Sequence, residues 1–219
     1  MPRALFEKTG NAAYISHLDL MRLFQRAFKR AGLSLTHTQG YNPRPSVSIA
    51  MPLSLGVESS CELLDFDLEG EKIPNEDILS RLNASLVEGV RVLQVYDSGS
   101  KLKNLAFLNC LVTLEYDAGV PAEAVTGITE LFSREEVIVE KKGKNAVVEQ
   151  SIIPMIRNIE VKALNGNEIV LNALICCQNP TLNPAQLSAA ISKYLPELTP
   201  DFVRCRRIEI YDTNEHVFR

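Results

Sequence analysis

The apolar residues of this chain change their spacing in the same order in both halves, and this repeated order most restricts the possible folds. In the first half, strands and helices are predicted at RALFEKT, His17–Ala31, SVSIAM, CELLDFDLE, NEDILSRLNASL and VRVLQVY. In the second half, the segments predicted in the same way are FLNCLVTLEY, PAEAVTGITELF, EEVIVEKK, IRNIEVKAL, EIVLNALICC, NPAQLSAAISKYL and FVRCRRIEIY. Strand–helix–strand followed by strand–helix–strand is the ferredoxin-like order. We therefore predict an α+β protein of tandem ferredoxin-like (βαββαβ) domains with antiparallel sheets.

A polar stretch, DSGSKLKNL at residues 97–105, separates the two halves. Such composition is typical of a domain boundary. We predict an N-terminal domain at residues 1–98 and a C-terminal domain at residues 104–219. Within the second domain, Asn165–Gly166–Asn167 has the composition of a hairpin turn between two strands.

Composition narrows the class of protein. No apolar run approaches the ~20 residues that span a bilayer, and the N-terminus lacks the apolar core of a signal peptide. We expect a cytoplasmic protein without membrane association. The five cysteines, Cys61, Cys110, Cys176, Cys177 and Cys205, follow no zinc or iron–sulfur spacing and mostly lie in apolar stretches. We therefore expect neither a metal nor a cofactor.

Charge is unevenly distributed along the sequence. Residues 1–52 contain seven Lys or Arg and two acidic residues, which gives +5, whereas the whole chain carries −4 and the remainder therefore −9. A local basic region on an acidic chain indicates an anionic partner. It is also compatible with a role in solubility alone.

Much of this charge falls on one predicted helix. Ser16 is a suitable N-cap with Asp19 three residues later, and Gly32 is a suitable C-terminal stop. Apolar residues occupy one side of the helix, and the opposite side carries the basic residues Arg22, Arg26, Lys29 and Arg30. These cations are candidates for binding RNA phosphates, and the alternative is an ordinary solvated helix face.

The loop after this helix is stiff and rich in hydrogen-bonding groups. It contains a glycine that tolerates positive φ and two prolines that fix φ, one of which also restricts Asn42. Amide, aromatic and guanidinium groups of this kind grip phosphates and stack on bases. The RNA-binding candidates in the loop are Gln39, Gly40, Tyr41, Asn42 and Arg44. The alternative is a rigid connector between two elements.

Two histidines are weak catalytic candidates. His17 lies in the first turn of the predicted helix, where a partly buried structural role is the simpler interpretation. His37 lies between the basic helix and the loop, where a histidine next to a phosphate can act as a general base on an RNA 2′-OH. No second acid or lysine is clearly placed to assist it.

The segments YISHLDLMRLFQRAFKRAGL and TQGYNPRPSVSIAMPLSLGVESSCELLDFDL closely resemble the N-terminal signature of the radical-SAM-linked protein family. That resemblance implies a bacterial protein whose gene lies beside, or is fused to, that of a cobalamin-binding-type radical SAM protein. Four of the RNA-binding candidates, Arg22, Gln39, Gly40 and Asn42, match the family motif. The other motif residues are His17, Asp19, Pro43, Ser59, Glu62 and Asp65. The chain lacks the three-cysteine cluster motif, so the partner would perform any radical chemistry.

Together these patterns predict a non-catalytic RNA-binding module that holds tRNA or rRNA for a partner radical SAM enzyme. Two alternatives stay open: a metal-independent RNA-processing enzyme that uses a histidine base, and a protein–protein docking domain whose basic face meets an acidic surface.

Overall fold

The structure is a computed structural model that describes residues 2–97, 100–142 and 147–219. The chain divides into two compact units, Met1–Lys103 together with Arg219, and Asn104–Phe218. The predicted end of the N-terminal domain, residue 98, lies outside the described residues. Both units combine helices with antiparallel strands, so the α+β class expected from the sequence is confirmed.

Within its described residues, the first unit has four strands and two helices in the order strand, helix, two strands, helix, strand. Their bounds are β1 (Pro2–Lys8), α1 (His17–Arg30), β2 (Val47–Ala50), β3 (Glu58–Phe66), α2 (Asn75–Asn83) and β4 (Val90–Asp97). The strands lie in the order β4, β1, β3, β2, and neighbouring strands are antiparallel. A short 3-10 helix, Gly10–Tyr14, leads from β1 towards α1.

Helix α1 forms because its apolar residues recur on one face and both of its ends are capped. The Ser16 hydroxyl accepts a hydrogen bond from the Asp19 backbone N–H at 3.2 Å. Gly32 follows the helix with a φ of +66°, a left-handed conformation that glycine adopts without steric cost. The buried face consists of Leu20, Phe24, Ala27 and Phe28. The predicted helix and its two terminal signals are therefore confirmed.

Aromatic packing fixes α1 on the sheet of the first unit. The Phe24 ring meets Phe6 of β1 edge-on with 4.8 Å between centroids, and the Phe28 ring lies 5.0 Å from that of Phe66 in β3. All four rings are fully buried. Burying a side chain of this size stabilises a fold by roughly 1.5–3 kcal/mol. The opposite, charged face of α1 is therefore held in a defined position towards solvent.

The second unit contains, among its described residues, six strands and two helices. Their bounds are β5 (Leu105–Glu115), α3 (Ala124–Phe132), β6 (Ile138–Lys142), β7 (Val147–Ser151), β8 (Ile156–Ala163), β9 (Glu168–Cys176), α4 (Ala185–Tyr194) and β10 (Phe202–Asp212). Four of these strands form an antiparallel arrangement in the order β10, β5, β9, β8.

The second unit differs from the sequence prediction in one element. The predicted strand EEVIVEKK becomes β6, which pairs with β7 in a separate two-stranded sheet, and β7 is a strand that we did not predict. The predicted hairpin of β8 and β9 is confirmed, and at its turn the Asn165 side-chain oxygen accepts a hydrogen bond from the Asn167 backbone N–H at 2.8 Å. Among the described residues, no helix is both long enough and apolar enough to cross a bilayer.

The cysteines behave as small apolar residues. All five are free thiols, and four of them are buried. Burial raises the pKa of the Cys110 thiol to about 12 and that of Cys177 to about 11. These thiols therefore stay protonated at neutral pH, which disfavours nucleophilic or redox chemistry at either position.

Candidate functional site

A buried lysine fixes the segment that leads into α1. Lys8 is 2% exposed, and its Nζ donates hydrogen bonds to the backbone carbonyl oxygens of Ala13 at 3.0 Å and Ile15 at 2.9 Å. Burial lowers the pKa of Lys8, and the Glu62 carboxylate partly offsets that effect. This positioning role was not predicted from the sequence, although Lys8 follows the apolar Phe6 by two residues and therefore shares its inward-facing side of β1.

Three arginines of α1 line an open groove of about 460 Å³. Arg22, Arg26 and Arg30 are spaced four residues apart, so they stand one above another along the helix. The remaining lining residues are Ile15, Asp19, Leu23 and Val87. The groove thus combines three guanidinium groups, three apolar side chains and a single carboxylate.

Two of the groove arginines have partners within the first unit. Arg22 forms an exposed ion pair with Asp19 at 2.9 Å, and Arg30 donates to the backbone carbonyl of Ser85 at 2.5 Å. The Ser16 hydroxyl and, next, Arg22 lower the pKa of the Asp19 carboxyl. Asp19 is therefore ionised at neutral pH and reduces the positive charge at one end of the groove.

The other helix cations are available to a partner. Among the described residues, the side chains of Arg26 and Lys29 form no hydrogen bond or ion pair, and both are exposed. Arg26 lines the groove, whereas Lys29 lies on the same helix outside it. Arg26 still interacts at longer range with Asp19, since its charge is one of the causes of the lowered Asp19 pKa.

The predicted loop is a short hairpin with an exposed tip. The Thr38 backbone N–H donates to the Arg44 carbonyl at 2.8 Å, and the Arg44 N–H donates to the Thr38 hydroxyl at 3.0 Å. His37 and Pro45 form an isolated antiparallel bridge below them. Gly40 has a φ of +141°, which explains the glycine at this position. The tip residues Gln39, Gly40, Tyr41, Asn42 and Pro43 are all exposed.

Tyr41 is the most distinctive residue of this hairpin. Its side chain is 100% exposed, and an aromatic ring in full contact with water gains nothing from the fold. The Arg44 side chain is exposed and, like Arg26, has no polar partner among the described residues. The hairpin residues are not among those that line the α1 groove, so the first unit carries two separate candidate surfaces.

The two histidines occupy different environments. His17 is half-buried as the first residue of α1. His37 is exposed, and its Nδ1 lies 3.9 Å from the Glu69 carboxylate, which is beyond hydrogen-bonding distance. The proximity of Glu69 to His37 was not predicted from the sequence. The described residues include no cluster of three His, Cys, Asp or Glu side chains arranged to hold a metal ion.

Three of the motif residues lie on β3 and serve the fold. Ser59 and Glu62 are buried, and the Ser59 hydroxyl accepts a hydrogen bond from the Cys61 backbone N–H at 3.2 Å. Asp65 accepts two hydrogen bonds from the Arg3 guanidinium, at 2.6 and 3.0 Å. Bidentate pairs of this kind are among the stronger polar contacts in proteins. The sequence did not identify Arg3, because a residue 62 positions away gives no local signal.

Comparison with known proteins gives a family and a likeness of fold. Residues 2–184 match the model of a family described as "Uncharacterized protein conserved in bacteria (DUF2344)". A chain in the crystal structure of a Cbf5-Nop10-Gar1 complex is similar over 95% of this chain, with a TM-score of 0.52 and 10% identity. This chain spans 48% of that one, about half its length.

Two further solved structures are more distant in fold. The archaeal box H/ACA sRNP Nop10-Cbf5 complex gives a TM-score of 0.47 at 9% identity, with 94% of this chain and 46% of the other covered. An H/ACA RNP bound to a substrate RNA containing 2′-deoxyuridine gives 0.48 at 9% identity, with the same coverage. At such identities the likeness to the Cbf5-Nop10-Gar1 complex concerns the fold alone.

Proposed function

Because the chain belongs to the bacterial family DUF2344, whose description names no activity, we propose a function from the surface of its own first unit. We propose that it is a non-catalytic, cytoplasmic RNA-binding module that holds a structured RNA, tRNA or rRNA, for a partner enzyme. One observation carries this proposal: Arg22, Arg26 and Arg30 line one open groove that contains a single carboxylate.

The proposed contacts divide between the helix and the hairpin. Arg26 and Lys29 contact phosphates, because their side chains form no hydrogen bond or ion pair within the described part of the protein. Arg22 and Arg30 contribute more weakly, since each shares its guanidinium with a partner. In the hairpin, Arg44 contacts phosphate or sugar, while Gln39, Tyr41 and Asn42 reach unpaired bases. The fully exposed Tyr41 ring offers a stacking surface.

Filter binding of bulk transfer RNA across a salt series tests this proposal. Arg26→Glu should weaken affinity roughly tenfold at low salt and reduce the salt slope by about one unit, because one phosphate contact is lost. Arg44→Ala should weaken binding less, because no repulsive charge is introduced. Arg81→Glu is the matched control, since Arg81 is an exposed arginine of α2 that does not line the groove.

If Arg26→Glu and Arg44→Ala bind transfer RNA as wild type does, the basic face and the hairpin do not form an RNA interface. If Arg81→Glu weakens binding as much as Arg26→Glu, the effect reflects net charge and not the groove.

For the partner enzyme we propose a radical SAM protein. This proposal rests on the motif resemblance in the N-terminal segment. In it, the present chain contributes RNA binding and the partner performs the chemistry. Purifying the tagged chain from its native cell and identifying the bound protein and RNA tests both points together. Co-purification of a radical SAM protein without RNA would favour a docking role for the basic face.

We also propose that the two units are tandem ferredoxin-like domains, at residues 1–98 and 104–219. The strand orders β4-β1-β3-β2 and β10-β5-β9-β8 support this proposal. Once the β6–β7 hairpin is treated as an insertion, the strands of each unit lie in the order fourth, first, third, second.

An RNA-cleaving activity is a second candidate function, favoured by the proximity of His37 to Glu69. Incubating cellular RNA with wild type and His37→Ala in EDTA tests it, and equal cleavage by both proteins would exclude His37 as the base.

A further inference from the structure

The second unit has a polar pocket on its sheet that the RNA-binding proposal does not use. Its volume is about 240 Å³, and it is lined by Asn109, Asn158, Asn172, Leu174, Tyr211 and Glu215. On β9 the residues Ile169, Leu171, Ala173 and Ile175 are buried, whereas Asn172 and Leu174 alternate with them on the more accessible face. The pocket therefore lies on the face of the sheet that is not buried in the core of the unit.

Strand register explains why three asparagines converge there. Leu174 of β9 lies directly opposite Asn109 of β5 on one side and Asn158 of β8 on the other. Residues directly opposite each other project from the same face with Cβ atoms about 5 Å apart. Asn172 precedes Leu174 by two residues and shares its face. Three carboxamides from three neighbouring strands thus surround one leucine side chain.

The Asn109 carboxamide lowers the stability of the protein when no ligand is bound. The Asn109 side-chain oxygen is buried, and among the described residues no group donates a hydrogen bond to it. A buried acceptor without a donor lowers stability, whereas a leucine of similar shape would not. A ligand that brings an N–H group into the pocket would compensate for this cost.

The chemistry of the pocket restricts the ligand. No lysine or arginine is among the lining residues, and Glu215 is the one acidic residue there, so a phosphate group would be repelled. Carboxamides present a donor and an acceptor in one plane and match the edges of nucleobases. The Tyr211 ring and the Leu174 side chain add apolar surface against which a planar ring can pack. The volume lies below the ~300–1,000 Å³ of drug-sized sites, which suits a single ring system.

We propose that this pocket binds one unstacked nucleobase, either as a free nucleoside or as a base of a single-stranded RNA. The Asn109, Asn158 and Asn172 carboxamides read the edge of the base, and Tyr211 and Leu174 contact its ring. The inference does not depend on the α1 groove, because all its residues lie in the second unit.

Titration with adenosine, guanosine, cytidine and uridine, followed by NMR chemical-shift changes, tests the proposal. At least one nucleoside, or a single-stranded oligo(A) or oligo(U) titrated in parallel, should bind wild type, and Asn172→Leu should weaken that binding by roughly tenfold or more. Thr113→Val is the matched control, because Thr113 is on the same face of β5 as Asn109 but does not line the pocket, and its affinity should stay within about twofold of wild type. The absence of binding by all four nucleosides and by single-stranded oligo(A) and oligo(U), or unchanged affinity in Asn172→Leu, would overturn the proposal.

Asn109→Leu separates a ligand-binding role from a structural one. Removing the buried acceptor should raise the melting temperature while binding is lost. Retained nucleoside binding in this variant would overturn the proposal. Parallel titration with single-stranded oligo(A) and oligo(U) identifies the source of the base, since dependence on Asn172 with oligonucleotides alone would mean that the base is read within a strand. Arg26→Glu should leave nucleoside binding unchanged, so failure of the groove proposal is distinguishable from failure of this one.

Discussion

Arginines occur on the surfaces of both units, but their surroundings differ. Arg26 of the first unit lines a groove in which Asp19 is the single carboxylate. Arg204 of β10 contacts two carboxylates, Glu115 of β5 and Glu168 of β9, which lie directly opposite each other in the sheet. Arg204 therefore relieves a repulsion between neighbouring strands. Arg26 forms no ion pair within the described residues, although its charge helps to lower the pKa of Asp19. The charge that an arginine offers to a partner depends on its neighbours more than on its own exposure.

The difference between Arg26 and Arg204 requires that α1 stays in position. The largest expected effect therefore comes from Lys8, which fixes the segment that leads into α1. Lys8→Met removes two hydrogen bonds to the Ala13 and Ile15 carbonyls and a positive charge near the buried Glu62 carboxylate. Breaking a buried charged contact of this kind typically costs about 3–5 kcal/mol. We expect the free energy of unfolding, measured in urea, to fall by that order.

Lys72→Met is the matched control for the anchor. Lys72 forms an exposed ion pair with Asp97 at 2.8 Å, and exposed pairs contribute at most about 1 kcal/mol. Equal destabilisation by the two substitutions would mean that Lys8 does not fix the entry to α1, and the position of the groove would need another explanation.

The second prediction concerns the compensated arginine. Arg204→Gln leaves Glu115 and Glu168 facing each other without a cation between them, so stability should fall by up to about 1 kcal/mol. Because Arg204 is already neutralised, its loss should leave transfer RNA affinity unchanged. Adding Glu168→Gln to this variant should recover the lost stability in urea denaturation. A loss of RNA affinity equal to that of Arg26→Glu would remove the distinction between the two arginines.

Sequence patterns predicted the parts of this protein that depend on local chemistry. The α1 helix could be predicted because Ser16, Gly32 and the apolar spacing all act within a few residues. The β6–β7 hairpin was missed, because the choice of a strand's partner depends on contacts that periodicity does not encode.

The candidate site was predictable to a similar extent. Arg22, Arg26 and Arg30 share a face at helical spacing, so their common groove follows from the sequence once the helix is known. The hydrogen bond from Arg30 to the Ser85 backbone carbonyl, 55 residues away in sequence, could not be predicted. The convergence of Asn109, Asn158 and Asn172 likewise depends on strand order and register, which the sequence alone left open.

The smallest expected effect comes from the single acidic residue of the α1 groove. Asp19→Asn removes the carboxylate that pairs with Arg22, so transfer RNA should bind about two- to fivefold more tightly at low salt. Asp97→Asn is the matched control, because Asp97 is also an exposed, paired carboxylate but lies outside the groove. Weaker RNA binding by Asp19→Asn would show that the groove does not receive an anion.

The pH dependence of the same variant supplies an independent check. The folded-state pKa of Asp19 is lowered, first by the Ser16 hydroxyl and then by Arg22, so its ionised form stabilises the fold above the unfolded pKa. That contribution is lost as the pH falls through the lowered pKa, and the stability difference between wild type and Asp19→Asn should then disappear. A difference that stays constant down to the most acidic conditions would mean that the Asp19 charge is not engaged. In that case Arg22, like Arg26, would have no ion-pair partner, and the groove would carry one more unpaired cation than its geometry indicates.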